Sequence, residues 1–188
     1  MKREKTSKRM AWEEDEQEKE IAMDEGMQQF KVMGIVMDSK ASNPVVLLVD
    51  LAGEKALPIW IGVFEADAIS RGLEDVATPR PMTHDLMKEI LDTFRVSLNK
   101  VVIWDLKDNT FYAHVYRLVD GEEVIVDSRP SDAIALAVRT RSPIFVSGTV
   151  LKAAKDLGVV AANLMEDQDE LKTLIESMKP EDFGKYKM

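Results

Sequence analysis

Residues 48–73 read LVDLAGEKALPIWIGVFEADAISRGL, and residues 118–138 read LVDGEEVIVDSRPSDAIALAV. Both run through a strand, a glycine turn, a second strand and a polar corner, then reach Asp-Ala-Ile at the opening of a helix. Asp67-Ala68-Ile69 matches Asp132-Ala133-Ile134. No other feature constrains the fold as much. Two β-rich runs around a short glycine loop make a hairpin, which is antiparallel. A chain that uses the unit twice builds its sheet from hairpins and lays helices on it. The expected class is therefore α+β, a compact mixed or antiparallel sheet with helices packed on it, rather than a doubly wound parallel sheet. The likeness suggests an internal strand-strand-helix duplication. It would place Asp67 and Asp132 in equivalent first turns, where a carboxylate suits the helix dipole.

The remaining segments fit this frame. FKVMGIVMD (30–38) reads as a strand. PVVLLVDL and KALPIWIG form the first hairpin, and GVFEADAISRGLE the first helix. The linker DVATPRP leads to THDLMKEILDTFRV, where Thr83 is an N-cap candidate and Leu86, Ile90, Leu91 and Phe94 form an amphipathic stripe. Residues 97–128 read as three strands. RSPIFVS is a short strand, and TVLKAAKDLG a helix ending at Gly158. The domain therefore spans 30–160. Residues 1–29 form a charged arm, flexible or a frayed helix. Residues 161–188 carry one amphipathic helix, stopped by Pro180, and a tail.

Charge bears on the choice of partner. The net charge is −9 over 188 residues. Residues 1–29, 30–163 and 164–188 each contribute −3. No segment is strongly basic, so non-specific binding to long duplex nucleic acid is not favoured. A local basic patch or a bound metal can still hold a phosphate. The absence of cysteine excludes disulfides and Cys-ligated metal sites. No apolar run is long enough to span a membrane, and the N-terminus has charges where a signal peptide needs its apolar region. A cytoplasmic protein with no membrane association is expected.

Polar chemistry gathers at three corners, each before a helix: Gly62 to Glu65, Arg80 to Asp85, and Asp127 to Asp132. Capping explains part of this. Thr83 and Ser128 are cap candidates, and Glu65, Asp85 and Asp132 suit helix N-termini. The repeated Arg-Pro is not explained that way, because arginine opposes the dipole. Arg80 and Arg129 can pair with carboxylates bidentately or clamp a phosphate beside helix N–H groups. His84 can serve as general base or metal ligand. With Glu65, Asp127 or Asp132 it supplies the ligand types of a Mg²⁺ or Mn²⁺ site. His114 reads as a strand residue, solvent-facing or paired across strands. Trp60, Trp104, Phe111 and Tyr112 are core or a stacking surface.

The combined string PVVLLVD, LPIWIG, EADAI, PRPMTHDL, TFYAHV, VDSRPSDAIALAVR and PIFV closely resembles the bifunctional nuclease domain family over residues 30–155. The resemblance implies a compact α+β domain, DNase and RNase activity, and a homo-oligomer, with a dimer favoured. It carries over Glu65, Arg80, His84, Asp85, Asp127, Arg129, Ser131 and Asp132. An extra C-terminal module found in many bacterial members is not expected here. The resulting expectation is a nuclease acting on single-stranded or flexible RNA or DNA, assisted by Mg²⁺ or Mn²⁺. Asp127, Asp132 and Glu65 would hold the ion. His84, Asp85 and Glu65 would supply catalytic groups, and Arg80, Arg129 and Ser131 would bind the phosphate. The alternative is a non-catalytic binding or regulatory module with an anion or partner site at the Arg-Pro corners. A small-ligand sensor for nucleotides is a third reading.

Overall fold

The computed structural model describes residues 26–37, 43–119, 121–156 and 161–162. The strands are β1 (Gln28–Met37), β2 (Pro44–Asp50), β3 (Lys55–Trp60), β4 (Ser97–Lys107), β5 (Thr110–Val119), β6 (Glu122–Ser128), β7 (Ile144–Val146) and β8 (Ala161–Ala162). The helices are α1 (Val63–Leu73), α2 (Thr83–Thr93), α3 (Pro130–Thr140) and α4 (Gly148–Asp156). Residues 1–25 of the charged arm, the C-terminal amphipathic helix and Gly158 lie outside the described residues, while Gln28 and Gln29 at the end of that arm begin β1. Among the described residues no helix is long and apolar enough to cross a membrane.

One sheet runs in the order β6-β5-β4-β7-β1-β2-β3-β8. Its only parallel pair among the described strands is β4 with β7; the other pairs are antiparallel. The fold is α+β, as the hairpins demand. Gly53 and Gly121 carry positive φ (77° and 88°) in the β2–β3 and β5–β6 turns, a conformation glycine adopts without Cβ strain. The repeat is visible in the connectivity. β1-β2-β3-α1 and β4-β5-β6-α3 are both three-stranded meanders followed by a helix, and β7 lies between them.

Helices α1 and α2 flank α3, which packs on β4 and β5. Ala133, Ile134, Ala135, Leu136 and Ala137 of α3 are buried, as are Ile69 of α1 and Val101, Ile103, Ala113 and Val115 beneath them. Small alanines let α3 sit close to both neighbours. A Cβ added to Gly72 of α1 would press on Val138 and Arg139 of α3, so that crossing needs glycine.

Three local expectations change. Asp67 is the fifth residue of α1, whereas Asp132 is the third of α3. The counterpart of Asp132 by helix position is Glu65, and the Asp-Ala-Ile match is out of step by two residues. Thr83 is the first helical residue, not the cap, because Asp85 reaches back to the Met82 N–H at 2.9 Å. Arg129, not Ser128, is the N-cap of α3, because Pro130 takes the first helical position.

Candidate active site at three helix N-termini

Glu65, Asp85 and Asp132 each occupy the third position of their helices. There a carboxylate meets backbone N–H groups and the positive end of the dipole. Packing α1 and α2 against α3 brings these N-termini together, and Arg129 joins two of them. Its Nε donates to Asp132 Oδ2 at 2.8 Å and its Nη2 to Asp132 Oδ1 at 3.1 Å. Its Nη1 donates to Glu65 Oε1 at 3.0 Å. Nε2 of His84 lies 3.2 Å from Asp132 Oδ1. The outcome is a continuous polar chain, His84–Asp132–Arg129–Glu65, running from α2 through α3 to α1.

The electrostatics are mutual. The hydrogen bond from His84 is the main cause that pulls the Asp132 carboxyl down to about 2. Burial opposes the shift, and the Arg129 guanidinium reinforces it. The bond to Asp132 likewise raises the Arg129 pKa. Asp132 is therefore ionised at neutral pH and can only accept. His84 Nε2 must then be the donor, which leaves Nδ1 as the nitrogen turned away from Asp132. His84 is buried, Asp132 and Glu65 are partly exposed, and Arg129 opens to solvent.

The other candidates lie elsewhere. Asp85 faces away from the cluster, with Oδ1 accepting from Arg139 Nε at 2.6 Å and Oδ2 engaged by the Met82 N–H. Arg139 also donates through Nη1 to the Ala68 carbonyl (2.8 Å) and the Ala135 carbonyl (2.9 Å), tying α1, α2 and α3 together. Arg139 was absent from the sequence candidates; its signal was an arginine at the end of an apolar helical run. Ser131 is buried under the first turn of α3. Asp127 is exposed on β6, in register with His114 of β5. Arg80 is exposed, and its carbonyl accepts from Thr78 Oγ1 at 2.6 Å.

The three carboxylates expected to hold an ion do not converge. Asp127 stands apart, and Glu65 and Asp132 share the guanidinium of Arg129. No group of three metal-ligating side chains forms among the described residues. As arranged, the donor set does not fit a divalent ion, since a cation would have to displace Arg129 from both carboxylates.

A family model described as the bifunctional nuclease domain matches residues 46–157. An uncharacterized protein of Mycobacterium tuberculosis is 36% identical over 164 residues, covering 84% of this chain and 98% of that protein. Bifunctional nuclease 1 of Oryza sativa subsp. japonica is 26% identical over 113 residues, 58% of this chain and 34% of its own length. Bifunctional nuclease 2 of the same plant is 27% identical over 114 residues, 59% and 35% of the two chains.

Proposed function

The chain belongs to the bifunctional nuclease domain family, and on that footing we propose that it cleaves phosphodiester bonds in single-stranded or flexible nucleic acid. One observation carries the reading: an ionised Asp132 that orients His84 on one side and holds Arg129 on the other, at converging helix N-termini. A phosphate entering here would meet the solvent-open edge of Arg129 and nearby backbone N–H groups. Arg129 would offset charge that develops on the phosphate oxygens. His84 would move a proton at Nδ1, its ring held by Asp132 as a carboxylate holds a catalytic imidazole. Glu65, released when Arg129 turns to the phosphate, is the second group able to accept a proton. Arg80 would bind the substrate strand further along.

Because Arg129 occupies both Glu65 and Asp132, no step above is routed through a Mg²⁺ or Mn²⁺ ion. The competing reading is a non-catalytic binding module, favoured by the same fact that Arg129 already satisfies two carboxylates.

The test is cleavage of labelled single-stranded RNA and DNA by stringently purified protein in Mg²⁺, Mn²⁺ or EDTA, beside folded His84→Ala and Asp132→Asn. Cleavage that falls about 10²–10⁴-fold in His84→Ala supports the reading. Loss in EDTA with recovery in Mn²⁺ adds the ion. Cleavage equal in all three proteins, or absent from all, leaves the binding module.

A further inference from the structure

Phe64 is 87% exposed and Val63 65%, although both lie in the first turn of α1, the helix that carries Glu65. Single exposed apolar residues are ordinary, so position must decide whether the ring has a use. Phe64 directly precedes Glu65, whose Oε1 accepts from Arg129 Nη1 at 3.0 Å. Helices α1 and α3 run side by side in the same sense. Glu65 meets Arg129 at one end, and Gly72 lies against Val138 and Arg139 at the other. At 3.6 residues per turn, Phe64 falls about 100° from Glu65 and roughly 40° from Ala68, the residue whose carbonyl accepts from Arg139. Buried Ala66 and Ile69 take the opposite side of the helix. The ring therefore stands at the solvent edge of the α1–α3 seam, beside the guanidinium. Phe94 is exposed too, but it follows the last turn of α2, roughly 15 Å along the helix from His84. There the stripe of Leu86, Ile90 and Phe94 faces outward while His84 is buried.

We infer that Phe64 is the residue on which the substrate strand stacks: its ring takes an unpaired base while Arg129 holds the adjoining phosphate. The inference rests on the nucleic-acid reading of the polar chain and names what that site selects. A nucleotide joins a flat base to a charged phosphate through one sugar. Phe64 and Arg129 offer the matching pair of surfaces, an open ring and a planar cation, at neighbouring helix starts. A base inside a duplex has both faces covered by its neighbours and cannot lie on the ring, so the pair selects single strands and loops. Every base has a π-face, so the ring separates unpaired from paired rather than one sequence from another. It also ignores the sugar hydroxyl that distinguishes RNA from DNA.

Charge and size favour this occupant. The chain carries a net charge of −9, and Arg129 is already shared by Glu65 and Asp132. Attraction for phosphate alone is then a weak hold on a polyanion. Stacking involves no ion, so it adds affinity where the charge balance does not. A protein partner fits less well. Val63 and Phe64 make a patch of two residues bordered by the charges of Glu65, Asp67 and Arg129, far short of the ~800 Å² that each side gives a standard interface.

The test places a fluorescent adenine analogue at successive positions of a short, phosphorothioate-linked single strand. The strand is titrated with the full chain and with Phe64→Ala, Phe64→Leu and Phe64→Trp, each with unchanged far-UV circular dichroism. The unmodified chain should quench the analogue most at one position. Affinity should fall about tenfold in Phe64→Ala and nearly as far in Phe64→Leu, and Phe64→Trp should restore it. An abasic site at the quenched position should remove the difference between the unmodified chain and Phe64→Ala, and so should pairing the strand into a duplex. Equal affinity with and without Phe64 overturns the inference, as does a chain that does not bind the strand; the ring would then belong to a protein contact. Full affinity in Phe64→Leu overturns it as well, because the contact would be apolar without stacking. Cleavage is followed separately. Stacking without cleavage ends the nuclease reading and leaves a single-strand binding site that bears the inference out. Cleavage of single strands at the same kcat/KM with and without Phe64 keeps the nuclease reading and ends the inference.

Discussion

Glu65 Oε1 accepts from Arg129 Nη1 at 3.0 Å across 64 positions of sequence, and Gly62 is what lets it do so. The Glu65 side chain folds back over the α1 N-cap, where a Cβ on residue 62 would collide with its carboxylate. The backbone of Gly62 is extended (φ −76°) and admits alanine without strain. Gly62→Ala should therefore move the carboxylate and spare the fold. The expected change in unfolding free energy is below about 1 kcal/mol, because the smaller chain entropy of alanine offsets its poorer capping. Nuclease activity should fall about tenfold, close to the loss in Glu65→Gln. Activity unchanged in Gly62→Ala and lost in Glu65→Gln would mean that the folded-back position is irrelevant.

Asp132 makes stability depend on pH in one direction. Its folded pKa, about 2, lies below its ordinary value, with the His84 bond the largest cause. A depressed carboxylate contributes stability that is complete above about pH 4 and is lost as pH falls through about 2. The contribution is no more than about 2 kcal/mol, since the pairs are partly solvated. Asp132→Asn should lower urea stability by about 1–2 kcal/mol at pH 7. The gap from the unmodified protein should close between pH 4 and pH 2. A gap that stays constant to pH 2 would place the cost in packing rather than in charge.

The hairpins and helices were legible because their causes are local. Gly53 and Gly121 mark turns, alternation marks strands, and Pro130 marks a helix start. Proline at the first helical position also moves the cap from Ser128 to Arg129. The orientation of α2 was not legible, because periodicity shows which side of a helix is apolar but not which side is packed. Neither was the convergence of His84 on Asp132, 48 positions apart, or of Arg129 on Glu65. The residue types were visible in the sequence. Their meeting depends on how closely α3 sits against α1 and α2, which Gly72 and the α3 alanines decide.

Asp85 and Arg139 should separate folding from chemistry. The Arg139 side chain is only 7% exposed and bonds to Asp85, Ala68 and Ala135, so its removal leaves carbonyls and a carboxylate without their donor. Its hydrogen bond is also the main cause that lowers the Asp85 pKa. Breaking a buried pair costs about 3–5 kcal/mol. Asp85 can rehydrate at its exposed edge, so Arg139→Met should cost roughly 2–3 kcal/mol and Asp85→Asn somewhat less. Turnover per folded molecule should stay within about threefold in both. A fully folded Asp85→Asn that lost activity as His84→Ala does would restore Asp85 to the catalytic set that the family resemblance implied.

The chain has two histidines, so each can be followed separately by NMR, with His84→Ala assigning the other. His114 stacks on Trp104 at 4.7 Å between ring centroids, and its enclosed Nδ1 has no hydrogen-bond partner among the described residues. Burial lowers its pKa, and Asp127, opposite it on β6, pulls the value back up. The ring should titrate below the ordinary value of about 6.5, and Asp127→Asn should lower it further. In the folded state this imidazole takes its proton later than in the unfolded chain. Folding stability should therefore decline as pH falls through about 6.5, where the unfolded chain binds the extra proton. Asp127→Asn should steepen that decline while leaving cleavage near the unmodified rate, because Asp127 lies outside the chain from His84 to Glu65. A His114 pKa that does not respond would break the cross-strand coupling. A loss of cleavage matching that in Asp132→Asn would return Asp127 to the active site.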